Sequence, residues 1–99
     1  MASSTHHSES EDRQLLEALI KGMDIPPGVL SFDIEIHDDS TGDPSIFLLV
    51  KIDEKFIEAR RKRFNELWTF TDDVQRQALK LGISRWPYVR LVSGPSRRR

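Results

Sequence analysis

Cysteine is absent from this chain of 99 residues, which removes disulfides, thiolate metal sites and cysteine nucleophiles from consideration. No apolar run approaches the roughly 18 to 20 residues that a membrane span needs. The polar opening, residues 1–10, lacks the apolar centre of a signal peptide. A cytoplasmic protein without a membrane partner is expected. Glycine-based phosphate loops, the Gly-x-Ser-x-Gly elbow and the His-Glu-x-x-His zinc motif are also missing. Hydrophobic residues make up only 37% of the chain, enough for one sheet with helices on one face but not for an enclosed active site as well. The expectation is therefore a protein that is not an enzyme, with no cofactor, no metal and no small-molecule substrate.

Charge is what the chain has in quantity: 31% of residues are charged, yet the net charge is -1. The two signs are separated along the sequence. Residues 1–53 carry eleven acidic side chains against Arg13, Lys21 and Lys51, and residues 54–99 carry twelve basic side chains against five acidic ones. Such asymmetry gives the second half a surface suited to nucleic acid or an acidic protein, unless the halves face and neutralise each other.

Local patterns divide the chain into a disordered acidic and polar N-terminus (1–9), one domain (10–93) and a basic flexible tail (94–99). Ser8 and Glu11 have capping-box spacing, and Leu15, Leu16, Leu19 and Ile20 follow as a helical stripe that Gly22 can end. Residues 30–37 alternate cleanly: Leu30, Phe32, Ile34 and Ile36 point one way, and Ser31, Asp33, Glu35 and His37 the other. A turn-rich segment, Asp38 to Pro44, leads to a second strand at 46–52 that is apolar on both faces and so wants cover on both. Asp53 can cap a helix running through the basic cluster to about Trp68, with Ile57, Phe64, Leu67 and Trp68 inward. A break is expected at Thr69-Phe70-Thr71-Asp72-Asp73, then a second helix to Gly82 and an edge strand at 88–92 behind Pro87. The fold class is α+β, in the order αββα(α)β, a three-stranded sheet with helices packed on one face.

Two constellations bear on function. If the alternating residues face the helices, Phe47, Leu49, Tyr88 and Arg90 lie on the opposite face, where a chain this short has no further layer to cover them. An apolar patch of that kind marks a protein partner or a homodimer surface. The alternative is nucleic-acid binding by Arg60, Arg61, Lys62 and Arg63, in a helix where Glu58 and Glu66 can pair with them, assisted by Arg97, Arg98 and Arg99. His37 with Asp38, Asp39 and Asp43 lacks the spacing of a calcium loop and reads as turn chemistry.

The element order resembles the type II KH domain of RNA-binding proteins, in which a Gly-x-x-Gly loop between two helices clamps the nucleic-acid backbone; the corresponding junction here is Phe70-Thr71-Asp72-Asp73. It also resembles the cytoplasmic domain of cation-diffusion transporters. The acid-rich Asp38-Asp39-Ser40-Thr41-Gly42-Asp43-Pro44 between two strands, together with Trp86 to Val92, resembles short uncharacterised bacterial proteins. That last resemblance implies a partner-binding, antitoxin-like role.

Overall fold

A strand apolar at successive positions is suited to the centre of a sheet, and the residues from 44 to 52 occupy that place. A computed structural model of the protein describes residues 8–93, in the order α1 (Glu9–Lys21), β1 (Val29–Asp38), β2 (Pro44–Ile52), α2 (Glu54–Glu58), α3 (Arg61–Lys80) and β3 (Trp86–Ser93). The sheet order is β1-β2-β3. β1 and β2 form an antiparallel hairpin, whereas β3 runs parallel to β2, a pairing that requires the long helical crossover between them. This is the expected α+β architecture. Residues 1–7 and 94–99, assigned from sequence to a disordered start and a basic tail, lie outside the described residues.

One apolar cluster holds the layers together. Ile46, Leu48, Val50 and Ile52 of β2 meet Leu16 and Ile20 of α1, Ile57 of α2, and Leu67, Phe70, Val74 and Ala78 of α3. Among the described residues, every buried apolar side chain of the three helices belongs to this cluster. Each buried valine, leucine, isoleucine or phenylalanine among them contributes roughly 1.5 to 3 kcal/mol of transfer free energy. The ends of the helices follow their sequence signals. Ser8 Oγ accepts from the Glu11 N–H at 3.1 Å while Glu11 Oε1 accepts from the Ser8 N–H at 2.8 Å, so Ser8 and Glu9 belong to α1 and its cap. Asp53 Oδ1 accepts from the Phe56 N–H and starts α2. Gly82, with φ +77°, turns the chain out of α3 in a conformation that only glycine adopts freely.

Four expectations are corrected. Leu30 points outward, because the β1–β2 register shifts between Val29 and Ser31 and Val29 packs on the core in its stead. The helical segment does not break at residues 69–73; it breaks at Ala59-Arg60, where Arg60 is extended, and α3 then runs unbroken to Lys80. Thr71, a poor helix former in isolation, is buried there and its hydroxyl donates to the Trp68 carbonyl at 2.9 Å. The basic run is consequently not mid-helix: Arg60 is the N-cap and Arg61, Lys62 and Arg63 form the first turn. With the helical phase reset at residue 61, Phe64 and Trp68 fall outside the stripe of Leu67, Phe70, Val74 and Ala78, and both are exposed.

A buried ion pair closes the fold across 73 positions of the sequence. Asp12 of α1 is fully buried and its carboxylate accepts from Arg85 Nη1 at 2.6 Å and from the Ser84 hydroxyl at 3.2 Å. Beside it, Arg13 Nη1 donates to the Ile34 carbonyl at 3.0 Å. The first helix is thereby fixed both to the loop before β3 and to β1.

Candidate functional site

The sheet face turned away from the helices brings the expected residues together. Strand register sets Phe47 beside Tyr88 and Leu49 beside Arg90, with Glu35 and Asp33 of β1 across from Phe47 and Leu49. Phe47 does not stand open, however. Its ring is stacked between His37, 4.4 Å away, and Tyr88, 4.9 Å away, with the Arg90 guanidinium 5.1 Å from its centroid. Only 5% of the residue remains exposed. The expected uncovered ring is thus housed by its own strand neighbours, since aromatic side chains in adjacent strands are long enough to close over one another.

Around that row of rings the face is polar. Lys51 pairs with Asp33 at 2.7 Å and His37 with Glu35 at 3.4 Å. The Tyr88 hydroxyl donates to Asp39 Oδ2 at 2.9 Å. Asp39 also accepts from the Thr41 hydroxyl at 2.7 Å and from the Asp43 N–H at 3.0 Å. The Thr41 hydroxyl, the Asp43 amide and the Tyr88 hydroxyl, in that order, hold the Asp39 carboxyl far below the usual carboxylate range. The same bond to Asp39, followed by burial, pushes the Tyr88 phenol up. These contacts order the β1–β2 loop and account for its acidic residues as turn chemistry. Among the described residues no group of three His, Cys, Asp or Glu side chains could hold a metal ion.

The α2–α3 junction has a different character. Arg63 is committed inward: it donates to the Phe56 carbonyl at 2.9 Å and lies over the Phe56 ring at 3.7 Å. Arg60, Arg61 and Lys62 are exposed, and among the described residues they form no ion pair with Glu58, Glu66 or any other acid. An open groove of about 730 Å³ lies against them, lined by Ile52, Glu54, Ile57, Glu58, Arg60, Arg61, Phe64 and Asn65. Phe64 is 43% and Trp68 53% exposed, and their rings meet edge to face at 5.7 Å. The chain also leaves the described fold here, because Ser93 pairs with Ile52 of the groove. Arg97, Arg98 and Arg99 follow in sequence and lie outside the described residues.

Sequence reasoning had Arg60 to Lys62 but not the two aromatic residues beside them. No local spacing finds them: their exposure follows only once α3 is seen to start at Arg61 and run unbroken through Leu67, Phe70, Val74 and Ala78. No family model, curated protein or solved structure matches the chain.

Proposed function

We propose that this chain binds the phosphate backbone of nucleic acid through Arg60, Arg61 and Lys62 at the α2–α3 junction. The observation that carries this reading is that these cations serve no evident purpose in the fold. α3 has no acid in its first turn and no side-chain cap at Arg60. Cations at the N-terminus of a helix oppose its macrodipole, at a cost of roughly 0.3 to 1 kcal/mol each. With no ion pair among the described residues, they are left to attract an anion from outside. The groove and the exposed rings beside them give a polyanion room to lie.

Titration of labelled DNA and RNA oligonucleotides by fluorescence anisotropy tests the reading. Binding should weaken steeply between roughly 50 and 200 mM salt as counterions are released. The triple variant Arg60→Ala/Arg61→Ala/Lys62→Ala should bind more weakly, its log–log salt slope shallower by about 2 to 3, at roughly 0.7 to 0.9 for each phosphate no longer neutralised. An absence of binding at low salt, or a slope that the variant leaves unchanged, rejects the reading.

A second reading is a protein partner or a second copy on the open sheet face, bound by Leu49, Tyr88 and Arg90 over the buried Phe47, in an antitoxin-like role. It is favoured by the one-sided placement of the helices. Under it, light scattering gives a dimer that Leu49→Ser dissociates; a strict monomer in both proteins speaks against self-association on this face.

A further inference from the structure

The proposed phosphate site leaves Phe64 and Trp68 unexplained. Core packing does not require them, since α3 buries Leu67, Phe70, Thr71, Val74 and Ala78, and two large rings half in water on one exposed flank forgo the transfer free energy that burial would supply. Phe64 shares the groove with Arg60 and Arg61, and Trp68 touches Phe64 one turn further along α3. Cations and exposed rings thus stand side by side over about two turns of helix.

We infer that Phe64 and Trp68 form a stacking platform for unpaired bases, so that the ligand of this junction is single-stranded nucleic acid; the inference rests on the phosphate-binding reading above. Every base has a π face, and stacking on an aromatic side chain is indifferent to sequence. In a duplex the base faces are stacked on one another and cannot reach a side chain outside the helix. Glu54 and Glu58 also line the groove and repel phosphate. The backbone is therefore held to the Arg60, Arg61 and Lys62 side, and the uncharged bases turn toward the rings. Charge complementarity selects a nucleic acid, and the exposed rings select its single-stranded form.

The chain contains two tryptophans, so Trp86→Phe leaves Trp68 as the sole indole reporter. Titration of that variant with a dodecamer of thymidylate should quench Trp68 emission, and a 12-base-pair duplex of mixed sequence should bind less tightly and quench little. Trp68→Ala in the full chain should weaken the single strand by about 5- to 150-fold, the effect of losing one stacked base, and change duplex binding far less. Trp68→Phe, which keeps a π face, should recover most of the loss. Because Trp68 is more than half exposed, its circular dichroism and melting serve as the folding control. Equal affinity for single strand and duplex, untouched by Trp68→Ala, overturns the platform while leaving phosphate binding by the cations intact. No binding of either probe at low salt overturns both. A Trp68-dependent dimer by light scattering, with no quenching, assigns the rings to self-association and also overturns the inference.

Discussion

Replacing Asp12 by alanine is expected to destabilise the protein by about 3 kcal/mol, within the range for breaking a buried ion pair from one side. The cause is less the forfeited attraction than what remains. Arg85 keeps only 19% of its side chain exposed, and without Asp12 its charge stays partly desolvated, while Ser84 loses an acceptor for both its hydroxyl and its amide. The value sits at the lower end of the range because the residual exposure of Arg85 lets some water reach it. For a domain of this size the melting temperature should fall by roughly 12 to 24 °C. Asp12→Asn, which retains acceptor capacity without the charge, should lose less. Differential scanning calorimetry decides the matter: a loss within about 0.5 kcal/mol, the usual range for surface substitutions, means that the pair does not tie α1 to the β3 loop.

Phe47→Ala should cost about 3 kcal/mol as well, at the lower end of the range for phenylalanine removed from a core. Phe47 is buried although no helix covers it; its cover is His37, Tyr88 and Arg90, side chains that can relax partly into the space left behind. A ring that only waited for a partner would behave as a surface residue, with an effect within about 0.5 kcal/mol. Urea unfolding distinguishes the two through a shifted midpoint at constant slope. A midpoint unchanged in the variant would mean that the three-ring row contributes nothing in the isolated chain.

The parts of this fold that sequence conveys are those set by neighbours in the chain. The alternation of β1, the doubly apolar run of β2 and the Ser8–Glu11 cap all operate within a few residues, and each is legible. The helix break is not. Thr69, Thr71, Asp72 and Asp73 have the composition of a helix start, but the burial of Leu67, Phe70 and Val74 outweighs local propensity, and Asp72 and Asp73 pair outward with Arg76. The actual break at Ala59-Arg60 contains neither proline nor glycine to announce it. Asp12 has its partners 72 and 73 positions away, a distance over which no spacing rule operates. For the candidate site, the cations can be read directly. Their freedom from acidic partners, and the exposure of Phe64 and Trp68, depend on a helical phase that only the position of the break determines.

The parallel pairing of β3 with β2 has a consequence during synthesis. β1 precedes β2 and can zip onto one of its edges within microseconds, but the other edge must wait for residues 53–85 and then for β3 itself. At about 5 to 20 residues per second that interval lasts roughly 2 to 8 s. Throughout it the nascent polypeptide carries its most apolar strand with one row of amides and carbonyls unmated, so the ribosome-bound chain, rather than the finished protein, is the form most in need of a chaperone.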